Sequence, residues 1–256
     1  MESFTLTRKE MAELLLSLHG SSSQKPIQVL QSAWAKSHQY ELEKGTTLPA
    51  FLATLLPPII EKLIKGSEVK GFSLQEISAL GQLIEYSNLS ITSMQNWVKR
   101  DFKSYFDCPK AGKKYSLNQA ALLFIIDDLK SNLDFESIRK LFEIVLGKPE
   151  DESHDLVGPI ELYATYTKMF EELDANNDQL LDITGHLNGQ PHQDLLTEEV
   201  IRGAANRFAD RLSGLTDKQR EAIRNILLVA VISIQTSYFH TLARRYCNAT
   251  LFLNSP

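Results

Sequence analysis

The sequence is poor in the residues that break or staple a chain. Its 256 residues include 12 Gly, 9 Pro and 2 Cys. So few breakers leave room for few turns, which favours long elements and helices in particular. Cys108 and Cys247 lie far apart and neither belongs to a Cys-x-x-Cys pair, so no zinc-binding spacing exists. Two free thiols fit a reducing cytoplasm. Long hydrophobic runs are also missing. The longest, near Ile226–Ile234, is interrupted by Ser233, against the roughly 20 apolar residues of a membrane-spanning helix. The first 20 residues set Arg8, Lys9 and Glu10 beside a short apolar patch, Leu14 to Leu16, with no signal-peptide core or small-residue cleavage site. These absences predict a soluble, cytoplasmic protein with no membrane partner.

What is present is ordinary in bulk. With 43% hydrophobic and 23% charged residues, the chain is neither collagen-like, nor low-complexity, nor wholly disordered. The length allows one or two domains and a core that needs no disulfide or structural metal. The formal charge of −5, from 27 Lys+Arg against 32 Asp+Glu, is unevenly spread. Residues 94–115 hold Lys99, Arg100, Lys103, Lys110, Lys113 and Lys114 against Asp101 and Asp107, a net +4. Residues 150–182 hold ten acids and one base, Lys168, a net −9. A molecule this polarised can present a basic face to phosphates although the whole chain is acidic.

Helical patterns and caps follow one another along the chain. Residues 8–18 and 26–41 read as helices, with Gly45-Thr46-Thr47 breaking the second. Pro57-Pro58 opens another, carrying Ile59, Ile60, Leu63 and Ile64, and Gly66 ends it. Ser73 with Glu76 makes a capping box ahead of Ile77, Leu80 and Leu83. Asn88-Leu89-Ser90 is a turn, and Ser90 caps a helix over Ile91–Phe102 that buries Ile91, Met94, Trp97 and Val98. A basic, turn-rich segment follows around Gly112, the one place where short strands are expected. Ser116 with Gln119 caps an apolar helix, Leu117–Leu129. Asn132 is expected to be the left-handed residue that stops it, and Asp134 caps the next helix. An aromatic helix follows Pro159, residues 174–193 read as a loop, Leu195–Leu212 as a helix, and Thr216 caps a last helix to about Tyr246. Nearly all-round apolar character in the middle of that last helix predicts burial on several sides, as a core or dimerisation helix.

Two helices joined by a short turn suggest a helix-turn-helix, in which the second helix meets base edges in the major groove. Outward positions of that helix are Thr92, Ser93, Gln95, Asn96 and Lys99. Gln and Asn can make paired hydrogen bonds to adenine, and Ser and Thr serve as donor or acceptor. Arg100, Lys103, Lys110, Lys113, Lys114 and Tyr115 extend the candidate DNA-binding set toward flanking phosphates.

In order, these residues resemble a MerR-type winged helix. Phe72–Ile77 is similar to its opening helix, Ser90–Trp97 to its recognition helix, Gly112–Ser116 to its wing and following cap, and Asn132–Arg139 to the next turn and helix. Gly112–Leu129, Leu133–Leu141 and Pro159–Phe170 resemble more closely a bacterial family of MerR-like regulators, largely of Firmicutes, the domain of unknown function 1836. That resemblance spans about residues 48–182. It implies a winged helix-turn-helix and DNA binding; MerR relatives pair through a long helix after the winged unit, and the last helix here, beyond the stretch of resemblance, is the counterpart expected to pair. Thr92 and Gln95 stand where the MerR pattern carries arginines, and Asn96-Trp97 where it carries two tyrosines. Phosphate-binding charge therefore shifts to Lys99, Arg100 and the wing.

Other constellations carry no chemistry. Asp174–Asp178 starts like a calcium-binding EF-hand loop, but Gln179 replaces the turn glycine and Gly185 the bidentate glutamate. His186 and His192 fit no metal pattern. Asp127-Asp128 reads as a pair facing solvent at a helix end, and the stripe Tyr163, Tyr166, Met169, Phe170 as core rather than ligand pocket. No nucleophilic triad, phosphate loop or dinucleotide fingerprint is found, so no enzyme and no cofactor are expected.

The expectation is thus a mainly α protein with a MerR-like winged helix-turn-helix and a short β-wing embedded in a helical bundle. Residues 1–47 form an N-terminal helical extension, 48–148 the winged-helix region, and 149–256 a C-terminal dimerisation or effector region. The function is DNA-binding transcriptional regulation, with double-stranded DNA, a second copy and a small-molecule effector as partners. The alternative is a winged-helix-derived protein that binds a protein or small ligand and not DNA.

Overall fold

A computed structural model describes residues 2–66, 68–87, 89–106, 114–146, 155–174 and 193–254. The protein is mainly α-helical. It divides into two compact units, one of residues 1–127 and 159–164 and the other of 128–158 and 165–256. Residues 1–47 thus share a unit with residues 48–127.

In the first unit, α1 (Arg8–His19) is fixed at its start by a capping box. The Glu10 N–H donates to the Thr7 hydroxyl, and the Thr7 N–H donates to the Glu10 carboxylate. Met11, Leu14 and Leu15 fall on its buried face, each worth about 1.5–3 kcal/mol for leaving water. Then come α2 (Pro26–Ser37), α3 (Gln39–Glu43), α4 (Thr47–Ala53) and α5 (Pro58–Ile64). The expected helix over 26–41 is two helices, separated at His38. Gly66 ends α5 with φ of 71°. After α6 (Leu74–Gly81) and α7 (Ile91–Asn96), a π-helical turn spans Trp97–Asp101, and α8 (Lys103–Phe106) follows. Next is α9 (Leu117–Leu129), which runs to the division between the units.

Strand pairing departs from the sequence reading. The two-residue strands β1 (Glu2–Ser3) and β2 (Thr54–Leu55) pair in parallel, and Leu6 pairs with Ile84. Near Gly112, Tyr115 pairs antiparallel with Phe72, while residues 107–113 lie outside the described residues. These pairs join segments distant in sequence and too short to show a two-residue period, so pattern alone misses them.

In the second unit, α10 (Phe135–Val145) starts at the Asp134 cap, where the Ser137 N–H donates to the carboxylate at 2.7 Å. It packs on α13 (Asp217–Asn254), as does α12 (Gln193–Arg211). α11 (Pro159–Asp174) contributes to both units. Asn132 is not left-handed; Tyr86 is the one non-glycine residue with positive φ among the described residues. Asn132 instead donates its side-chain amide to the Ser233 hydroxyl at 3.2 Å.

Two further expectations are corrected. Asp127 and Asp128 are buried, because α9 is enclosed over Ala120–Leu129. Each has a hydroxyl donor: Ser87 to Asp127 at 2.7 Å and Tyr166 to Asp128 at 2.8 Å. And α13 runs eight residues past Tyr246, burying one broad face (Ile223, Ile226, Leu227, Ala230, Val231, Ile234) and not several sides. By length and composition alone α13 could cross a membrane, a property it shares with core helices of soluble proteins. Tyr163, Tyr166 and Met169 are buried among core residues.

Candidate nucleic-acid interface

The segment from Phe72 to Tyr115 is built by local rules. The Glu76 N–H donates to the Ser73 hydroxyl and the Ser73 N–H to the Glu76 carboxylate, closing the expected capping box. Lys62 of α5 reaches the same carboxylate at 3.2 Å. Burial pushes the Glu76 carboxyl up, but the Ser73 N–H, the Lys62 ammonium and the Ser73 hydroxyl outweigh it and hold it below its ordinary 4.5.

Two glycines allow close approach. A Cβ on Gly71 would run into the Tyr115 carbonyl oxygen, where Phe72 and Tyr115 exchange N–H···O bonds of 2.9 and 2.7 Å. A Cβ on Gly81 would lie 2.5 Å from Leu89 Cδ2 and 3.0 Å from its Cβ. Glycine at the end of α6 thus lets the returning chain bring buried Leu89 against it.

The connection between α6 and α7 is tied to the N-terminal segment. The Leu6 N–H donates to the Leu83 carbonyl and the Glu85 N–H to the Leu6 carbonyl, at 2.8 and 3.0 Å. The buried Arg8 guanidinium donates to the Glu85 carbonyl at 2.7 Å. Tyr86 follows with φ of 61°, a strained value for a bulky side chain, held by these flanking bonds. No periodicity or cap signals Arg8 in this role, because its acceptor is a backbone carbonyl 77 residues away.

At Ser90 the chain enters α7. The Ser93 N–H donates to the Ser90 hydroxyl, which donates in turn to the Ser93 hydroxyl. Ser93 is half-buried and part of the cap. Met94, Trp97 and Val98 face inward, and the π turn closes with the Phe102 N–H on the Trp97 carbonyl at 2.8 Å. That i to i+5 bond adds a residue to the turn, which lets Trp97 and Phe102 both be buried. On the other side Thr92, Gln95, Asn96, Lys99, Arg100 and Lys103 are exposed. Arg100 leans on Asp101, Nε to Oδ1 at 3.2 Å.

Of the expected wing, Lys110 and Lys113 lie outside the described residues, and Lys114 is exposed. Tyr115 is half-buried, with both backbone polar groups on Phe72 and its ring edge-on to Phe106 at 6.0 Å. Burial pushes its phenol up, so the hydroxyl keeps its proton at neutral pH. Ser116 and Gln119 close the capping box of α9, and the Gln119 side chain also donates to the Tyr105 carbonyl.

No group of three or more metal-ligating side chains exists among the described residues. The EF-hand-like stretch after Asp174, His186, His192 and Cys108 lie outside them. Cys247 is a free, exposed thiol.

Comparison with known proteins places this segment in context. A family described as "Domain of unknown function (DUF1836)" matches residues 67–168. Over 248 residues the chain is 32% identical to "Uncharacterized protein YkrK" of Bacillus subtilis (strain 168), covering 96% of this chain and 97% of that protein. No solved structure matches. The family match takes in α6 to α10, with the Ser73 and Ser90 caps, and the likeness to the Bacillus protein runs almost end to end; the chain belongs to the DUF1836 family.

Proposed function

We propose that the protein is a sequence-specific DNA-binding regulator of MerR-like winged helix-turn-helix type, acting as a cytoplasmic homodimer without enzymatic activity. The observation that carries this reading is the two-sided helix after Ser90. One side is anchored by Met94, Trp97 and Val98, and the other offers Thr92, Gln95, Asn96, Lys99 and Lys103 to solvent. Thr92 stands in the first turn, where recognition helices meet base edges, Gln95 and Asn96 follow one turn on, and cations lie further along for phosphates. In this reading Lys110, Lys113 and Lys114 form the wing, and Tyr115 anchors its return strand on Phe72.

The dimer is supported by α13. Ile232, Phe239, Tyr246 and Leu253 recur every seventh residue and are 52%, 40%, 71% and 76% exposed. They share one heptad position and give an apolar stripe that a second copy of the helix can cover. Two copies related by a two-fold axis would read an inverted repeat.

The test is selection of bound duplexes from a random-sequence library by the full-length chain, followed by band-shift titrations across a salt series. An inverted-repeat motif should emerge, with affinity falling linearly in log[salt]. Lys99→Ala and Lys103→Ala should each lower that slope by about one. No shift of any duplex at low salt by a folded dimer would overturn the reading.

A further inference from the structure

The first unit contains a cavity of about 390 Å³ among α2, α4, α5 and the N-terminal segment, with α3 at its mouth. Ligand pockets for small molecules span about 300–1,000 Å³. Phe4, Leu30 and Ile60 are buried in its walls, Trp34 lies among them, and Gln31 is the sole polar residue in a lining that contains no charge. The one polar atom of Trp34 is already used. Its indole N–H donates to the Thr54 hydroxyl at 3.3 Å, which donates to the Ala50 carbonyl. One face of the ring stacks on His38, centroids 4.3 Å apart, and Phe51 meets it edge-on at 5.8 Å. What remains for an occupant is apolar surface.

The mouth is formed by the least anchored part of the unit. α3 and α4 have five and seven residues, no side-chain cap and no buried residue. Leu42 and Phe51 nevertheless line the cavity while staying partly exposed. Each is 40% exposed, and a molecule filling the cavity would cover part of that apolar surface.

We propose that this cavity is a binding site for a small, uncharged, apolar molecule, with its one polar end at Gln31. A charge at the deep end is excluded because no lining group could pair with it, and an unpaired buried charge is too costly to hold. Gln31 is exposed at the rim, where a polar end keeps contact with water. The site goes beyond the DNA-binding reading, and its test uses no DNA.

The probe is N-phenyl-1-naphthylamine, uncharged and fluorescent in apolar surroundings, titrated into the full-length protein. Saturable enhancement at one site per chain is expected, displaced by 1-decanol and not by decyltrimethylammonium at equal free concentration. Ala35→Trp, from a half-exposed lining position, should fill the cavity and weaken binding at least tenfold with an unchanged far-ultraviolet spectrum. Should that variant fail to fold, Phe51→Glu, at the mouth, should weaken binding by a similar factor. Absence of saturable binding overturns the proposal, as does full affinity in the folded variant. So does loss of probe sites as protein concentration rises, which would mean that a second copy fills the cavity.

Discussion

The Tyr166 hydroxyl donates to the Asp128 carboxylate at 2.8 Å, and both side chains are buried. A carboxylate taken out of water needs donors, and losing one leaves part of its desolvation cost uncompensated. Tyr166→Phe should therefore destabilise the protein by about 1–3 kcal/mol, read as a lower urea midpoint at unchanged slope. Asp128→Asn should cost less than Asp128→Ala, because the amide oxygen still accepts from Tyr166.

The DNA-binding proposal distinguishes kinds of contact along the helix after Ser90. Gln95→Ala and Asn96→Ala should reduce discrimination between the selected duplex and unrelated DNA, by about 1–3 kcal/mol per lost base contact. Lys99→Ala and Lys103→Ala should weaken binding to both about equally. Competition titrations against unrelated duplex separate the two behaviours. Ser93→Ala should act mainly on stability, since the Ser93 hydroxyl belongs to the cap.

Glu76 makes stability depend on pH. Its folded carboxyl lies below its ordinary 4.5, so its contribution is complete above that value and is lost as pH falls through the lower, folded one. The stability difference between the parent and Glu76→Gln should be flat above about pH 5.5 and shrink below about pH 4.5. Urea titrations at stepped pH check this. Ser73→Ala, which removes the cap itself, should cost about 1 kcal/mol at every pH where Glu76 is ionised.

If α13 pairs two copies as proposed, Phe239→Glu and Tyr246→Glu should yield monomers by sedimentation equilibrium. Helix content should stay the same, because both side chains are exposed on this helix. A chain that pellets with lipid vesicles in place of dimerising would instead assign the stripe to a bilayer.

Helix starts were the most readable part of this sequence. Ser73 with Glu76, Ser90, Ser116 with Gln119, Asp134 and Thr216 all cap the helices the sequence points to, because a cap involves residues three apart. Groups whose partners lie far along the chain were not readable. Asp127 and Asp128 look like a solvent-facing pair until Ser87 and Tyr166 supply their donors from 40 and 38 residues away. The π turn at Trp97–Asp101 closes on the Phe102 N–H to Trp97 carbonyl bond, with Trp97 and Phe102 both buried, which a regular helical period does not anticipate. The helical pattern points to an end of α13 near Tyr246 because its buried face fades after Ser237, but no Gly or Pro stops the helix before Pro256. Of the outward positions the helical period gives, Thr92, Gln95, Asn96 and Lys99 are exposed, while Ser93 is half-buried because its hydroxyl and N–H are taken up by the Ser90 cap.

The Gly81–Leu89 contact can be tested as a pair. Gly81→Ala gains helix propensity of about 0.5–1 kcal/mol but forces Leu89 aside, and the cost of overpacking, about 1–3 kcal/mol, should prevail. In a Leu89→Ala background the same change should cost less, because the 2.5 Å contact with Cδ2 is gone and only the 3.0 Å contact with Cβ remains. A thermal double-mutant cycle reads the difference.

Gly71 and Gly81 therefore leave different marks on descent. At position 81 the obstacle is a side chain, so a lineage can pass through a smaller residue at 89 and then fill 81, and the two positions should drift together. At position 71 the obstacle is the Tyr115 carbonyl, which every amino acid carries. No substitution at 115 opens that route, and glycine at 71 should persist for as long as the Phe72–Tyr115 pairing does.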